Sequence, residues 1–398
     1  MSADSKRLFF IDAMRAWAIL MMLQGHFIDG LLDAVFRNPE GIFYSVWLYF
    51  RGITAPVFFT VSGFIFTYLL IKSKDSGWQN PRVKKGLKRG LQLVLIGYLL
   101  RLNVLGLFLG ELYNAFYLVD VLHCIGISLI AIVGVYLLAT RRYNFVFPSI
   151  LLLITLGLFL FEPYYKQWSF SFLPDVLANY FTKANGSVFT IIPWLGYTTL
   201  GGFVSVLFFK YKKLKNFYTI TISLSLALGL SLVFGSSASF IFLFEQTGIE
   251  LFQLIEYNNY LFIRLGDVFV VFALFMIFRR FATNKTILSI GANTLSIYVI
   301  HFIILYGSFT GLGLYGFFNH QLNPVQAIVG AALFMFVCTF LALKYAKHDN
   351  EIKRQISFGL QNIKTVIISF QKNVLPKVKI YFYRIRLFLI RFLKLAKN

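Results

Sequence analysis

The chain has 398 residues, of which 58% are hydrophobic and only 14% charged, against about 25% charged in soluble globular proteins. With a mean hydropathy of +0.72, a water-soluble domain is excluded, because no soluble fold hides that much apolar surface. The net charge of +22 does not require a nucleic-acid partner, since a cytoplasmic excess of Lys and Arg explains it in a membrane protein.

Apolar runs of about 20 residues predict membrane-spanning helices. They are continuous rather than alternating, which argues against a barrel. Taken in chain order, the runs predict an all-α polytopic bundle of about ten helices, near residues 8–31, 44–71, 87–109, 116–139, 144–162, 187–209, 217–243, 260–279, 287–311 and 326–346. The first run carries Arg15 and His26 and has no small-residue cleavage site behind it, so it reads as a retained helix, not a signal peptide. The gaps test the count. Every second gap is basic: Lys72 to Arg89, Arg141 and Arg142, Lys210 to Lys215, and Arg279 to Lys285. The gaps between them hold Arg37, Lys166 and Lys183 amid seven acids: Asp33, Glu40, Glu111, Asp175, Glu245, Glu250 and Glu256. By the positive-inside rule, the N-terminus, with Lys6 and Arg7, and the C-terminus are both cytoplasmic. Two parts follow: a transmembrane domain over 1–346 and a basic amphipathic tail over 347–398, expected to lie on the inner membrane surface. The two cysteines, Cys124 and Cys338, give no disulfide framework, and no cluster has zinc spacing.

Ionisable side chains at membrane depth are costly and mark function by default. On the first helix Arg15 and His26 are 11 residues apart, three full turns, so they share a face about 16 Å apart along the axis. Asp12 is placed to pair with Arg15, and Asp29 to orient His26 or raise its basicity. Arg51 opens a second-helix segment with Pro56, Ser62 and Gly63, where the small residues suggest close packing and the charge does not. Arg101, Asp120, His123, Arg264, Asp267, Tyr298 and His301 are expected to converge on one wet cavity in the outer half. Arg101–Asp120 and Arg264–Asp267 read equally well as structural ion pairs. The run from Lys72 to Arg89 is either a topology determinant or a phosphate-binding patch. No Gly-rich phosphate loop accompanies it.

The segment from Phe10 to His26, with Asp12, Arg15 and His26, resembles the first helix of the transmembrane acyltransferase superfamily (acyltransferase 3-like proteins). Within it the chain looks most like bacterial relatives of heparan-alpha-glucosaminide N-acetyltransferase. The Pro56–Gly63 segment is similar to theirs, as are Arg89 with the Leu-rich helix after it, Asp120–Gly126, and Gly291–His301. The chain departs from the family's usual pattern at Ala16, where glycine commonly follows the arginine. The resemblance implies acyl transfer across the membrane. Acetyl-CoA or another acyl-CoA is the donor substrate and no cofactor is permanently bound. A glycan or lipid-linked sugar on the outer side is the acceptor, and the setting is a bacterial cytoplasmic (inner) membrane. The CoA phosphates would meet Lys84, Lys85, Lys88 and Arg89, and its pantetheine arm would pass Arg15. His26 would act as general base or transient acyl carrier, and Arg101 or His123 would stabilise the oxyanion. A transporter using the same cavity for passage is the competing expectation, since intramembrane His, Asp and Arg also line transport pathways. A scaffold protein would not need so many buried charges.

Overall fold

The computed structural model describes residues 8–139 and 145–373. Lys6, Arg7, Arg141, Arg142 and the tail cations from residue 374 onward lie outside the described residues. Among the described residues the fold is helical, with two isolated one-residue bridges and no strand. The long helices are α1 Phe9–Leu31, α2 Ile42–Ile71, α3 Pro81–Arg101, α4 Val121–Leu138, α5 Val146–Leu160 and α6 Ile191–Tyr211. They continue as α7 Phe217–Thr247, α8 Tyr260–Ile277, α9 Lys285–Ala292, α10 Thr294–Tyr306 and α11 Pro324–Asn373. One compact unit ends at Ala342, and the described residues from 343 to 373 belong to a second.

Each of the ten predicted apolar segments carries a helix. Among the described residues six helices are long and apolar enough to cross a membrane: α2, α4 with the turn before it, α6, α7, α8 and the apolar part of α11. A seventh span results if α9 and α10, bent by 71° across their junction, count as one. Helix α5 has only 15 residues, and polar residues dilute the apolar content of α1 and α3.

Three of the expected helices have other boundaries, each for a local reason. Helix α3 starts at Pro81, six residues before the expected boundary at 87. Asn80 caps it by accepting from Arg82 N–H at 2.9 Å, and proline suits the first helical position. The basic run from Arg82 to Arg89 therefore lies on the helix and not in a loop. The same helix ends at Arg101, because Leu102 turns extended and pairs with Phe309 through a backbone bond of 3.0 Å. Helix α4 starts after Asp120, which is its cap: Asp120 accepts from Leu122 N–H at 3.3 Å. The expected helix at 287–311 is broken at Asn293 and stops at Gly307, whose left-handed φ of +70° ends α10.

Helix α1 sits at the centre, touching α2, α8, α9 and α10. Its inner residues Ile11, Met14, Ala18, Ile19 and Leu23 are wholly or almost wholly buried. Around it Phe10, Phe64, Phe208 and Phe272 form an aromatic cluster with ring centroids 5.6 to 6.5 Å apart. Helices α2 and α6 approach until backbone meets backbone. A Cβ on Gly63 would land on the Thr198 carbonyl, and one on Gly201 on the Thr60 carbonyl. Such small-residue contacts replace the hydrophobic drive that lipid removes.

Candidate active site

Helices α1 and α10 run side by side in the same direction, and this brings two distant sequence segments into register. Gly291 faces the Asp12 backbone so closely that a Cβ would meet its carbonyl oxygen. One turn on, Arg15 donates to the Thr294 hydroxyl at 3.0 Å and lies 3.6 Å from the Asp12 carboxylate. Near the other end His26 Nδ1 is 2.9 Å from the Tyr306 hydroxyl. Between these levels the fully buried His301 packs edge-on to the His26 ring, with centroids 5.3 Å apart. Tyr298 and Phe302 hold His301 from its own helix, at 4.8 and 5.8 Å.

Two cavities meet at His26. The smaller, about 350 Å³, is lined by Arg101, Asn103, Asp120, Tyr298, Phe302 and the loop after Gly307. The larger, about 570 Å³, is lined by Asp29, Arg51, Lys183, Tyr260, Arg264 and Trp194, with Phe58 and Phe59. Both are walled by His26, Tyr306, Val121, Val188 and Phe189. Where one chamber was expected there are two, with the His26–Tyr306 pair in their common wall.

The remaining expected residues sort by position. Arg101 bonds Asp120 through Nε at 3.1 Å and the Ala115 carbonyl through Nη1 at 3.2 Å. Arg264 bonds Asp267 at 2.9 Å and lies over the Tyr49 ring at 4.4 Å, and Tyr49 donates to Asp267 at 2.7 Å. Both arginines thus make the ion pairs of the structural reading and also line a cavity. Gly52 makes room for Arg264, since a Cβ there would lie 2.6 Å from its guanidinium. Asp29 takes Arg51 at 2.6 Å and Arg37 at 3.4 Å. The group that orients His26 by hydrogen bond is therefore Tyr306, in the place expected for Asp29. His123 is fully buried; its Nδ1 lies 3.3 Å from both the backbone nitrogen and the carboxylate of Asp120, closing a capping box. It packs on Tyr98 and lines neither cavity. Arg15, Asp267 and His301 also line neither, and Lys84, Lys85, Lys88 and Arg89 are exposed on the first turns of α3. Among the described residues no group of His, Cys, Asp and Glu could hold a metal.

Tyr306 and Asn103 were not singled out by sequence reading. Tyr306 lies 12 residues after Thr294, a third of a turn away from its face at 3.6 residues per turn, so spacing gave no signal for it. Asn103 had none, because it reaches the cavity only through the bridge with Phe309.

The fold and the site define a helical membrane protein with a paired imidazole between two polar chambers. The chain matches the acyltransferase 3 family, described as an acyltransferase domain, over residues 8–343. It belongs to that family and is a membrane acyltransferase. A search among curated proteins gave no match.

Proposed function

We propose that the protein moves an acetyl or other acyl group from cytoplasmic acyl-CoA to a hydroxyl or amine on the outer side of a bacterial cytoplasmic membrane. A glycan or lipid-linked sugar is the acceptor, in keeping with the likeness to bacterial relatives of heparan-alpha-glucosaminide N-acetyltransferase. The observation that carries this reading is the position of His26: one imidazole, held by Tyr306, faces both cavities at once. A two-substrate transfer needs such a group, because acceptor and donor must arrive from different directions and share one base.

With Nδ1–H donating to the Tyr306 oxygen, Nε2 keeps its lone pair and takes the acceptor's proton. The acceptor oxygen or nitrogen then forms a bond to the thioester carbonyl carbon. The carbon–sulfur bond breaks, and the CoA thiolate leaves and is protonated by the imidazolium. Arg101, in the smaller cavity, stabilises the oxyanion of the tetrahedral intermediate. Lys84, Lys85, Lys88 and Arg89 are the proposed partners of the CoA phosphates. They lie on the helix that ends at Arg101, with Lys84 about 26 Å from Arg101 along the axis at 1.5 Å per residue.

The reading includes ten membrane helices with both termini in the cytoplasm and the basic segment 347–398 on the inner membrane surface. The parallel course of α1 and α10 supports the parity of that count, since a first and a ninth span must run the same way. Release of free CoA thiol from acetyl-CoA by the purified protein tests the reaction. His26→Ala is expected to lower it about 100-fold or more, the range of a general base, while the purified variant keeps the wild-type melting temperature. Turnover within twofold of wild type would remove His26 from the chemistry.

A further inference from the structure

The larger cavity carries more positive charge than its carboxylates balance. Arg51 and Arg37 share the single carboxylate of Asp29. Arg264 has Asp267, which also accepts from Tyr49. Lys183, on the segment between α5 and α6, lines the same cavity from its exposed rim. No ion pair or side-chain hydrogen bond joins Lys183 to another described residue. The nearby Lys166 is matched by its own partner, Glu162, at 3.2 Å. Three cations, Arg51, Arg264 and Lys183, therefore line a chamber of about 570 Å³ with one carboxylate, Asp29, and the partners outside its lining, Arg37 and Asp267, leave the same excess.

Cations at a partly dehydrated surface are costly unless an anion meets them. Partial desolvation at the rim and then the charge of Lys166 lower the Lys183 pKa from its ordinary value, while Glu162 opposes them. A bound anion would relieve that cost through a charge-assisted hydrogen bond. The other walls suit a sugar ring. Trp194, Phe189 and Tyr260 place aromatic rings in its lining, and His26 lines it too.

We infer that the larger cavity is the acceptor subsite and that it selects an acceptor bearing an anionic group, a carboxylate or a phosphate, with Lys183 as the specificity-determining cation. The assignment of this cavity to the acceptor rests on the acyl-transfer reading above; the anion preference does not. Arg51 and Arg264, already engaged by carboxylates, set the positive field, and Lys183 supplies the uncommitted donor. The smaller cavity, lined by Arg101 and Asp120, is left for the reacting end of the donor.

The test is calorimetric titration of the full chain in nanodiscs with glucuronic acid, glucose 1-phosphate and neutral methyl glucoside. The two anionic probes distinguish carboxylate from phosphate. At least one is expected to bind about tenfold tighter than the glucoside, the scale of one charge-assisted contact. In Lys183→Ala that preference is expected to fall toward one, in Lys183→Glu to fall further, and in Lys183→Arg to persist. Equal affinity for neutral and anionic probes, no measurable binding of any probe, or a preference unchanged in Lys183→Glu would each overturn the inference. CoA-thiol release is measured in parallel with each probe. Anion preference without thiol release would refute the acyl-transfer reading and leave the anion site standing. Thiol release without anion preference would refute the anion site alone.

Discussion

Replacing Tyr306 by phenylalanine removes one oxygen and keeps the ring that packs on Phe302 at 4.8 Å and Tyr315 at 5.8 Å. What is lost is the 2.9 Å hydrogen bond to His26 Nδ1, which fixes the imidazole's tautomer and rotation. Tyr306 is a positioning residue, because it acts through His26. The expected result for Tyr306→Phe is a fall in kcat of about tenfold, less than the roughly 100-fold or greater cost of losing a general base outright, with little change in KM for acetyl-CoA. Steady-state kinetics on CoA-thiol release check it, and an equal loss in both parameters would show a merely structural role. His123 shows how a sequence pattern misleads at this scale. The sequence offered it as an oxyanion stabiliser, yet a histidine three residues after an aspartate also makes a capping box at a helix start. Only its burial and its contacts with Asp120 and Tyr98 separate the two readings.

Helix α2 supplies Arg51, Gly52, Thr54, Ala55, Phe58 and Phe59 to the wall of the larger cavity, and α6 supplies Trp194. The shape of that cavity therefore depends on how closely these helices approach. Gly63 sets the distance, because a Cβ there would occupy the space of the Thr198 carbonyl oxygen. Backbone cannot yield as a side chain end does, so the helices must part. Gly63→Ala is expected to destabilise the protein by about 1–3 kcal/mol, the usual cost of overpacking, seen as a lower melting temperature in detergent. Gly134→Ala is the control, since nothing lies within 4 Å of a Cβ there. Equal melting of the two variants would show that the α2–α6 contact has slack. The break at Asn293 works at the same scale. It puts Thr294 under Arg15 and turns α10 so that His301 and Tyr306 meet His26. The sequence hinted at this break only through the helix-weak Asn293-Thr294 pair, too little to predict a bend of 71°.

Across the whole molecule, charge asymmetry and apolar length together define the proposed topology. Cys124 and Cys338 are both fully buried, so the native thiols leave a low background for accessibility mapping. A cysteine introduced at Ala184 is expected to react with a membrane-impermeant maleimide in intact cells. One at Lys74 is expected to react only after the membrane is opened. Labelling extents read on gels check this, and the reverse pattern would invert the proposed orientation and place the larger cavity on the cytoplasmic side. The expected helices were legible because an apolar run of membrane length has few other fates. Their ends were less legible, because a cap or a bridge such as Asn80–Arg82 or Leu102–Phe309 is decided by one or two hydrogen bonds.

The amino-acid sequence determined the solvent of this protein, its helical class and the polar stripe of Arg15 and His26. Those properties follow from local composition and the 3.6-residue period, which need no knowledge of neighbours. Only the tertiary structure decided that there are two chambers and not one, that Tyr306 holds His26, and that Asp29 is committed to Arg51 and Arg37. Each of these is a tertiary contact, from 8 residues apart for Asp29–Arg37 and 22 for Asp29–Arg51 to 280 for His26–Tyr306. A side chain's periodicity says which way it points, and packing alone says what it meets there.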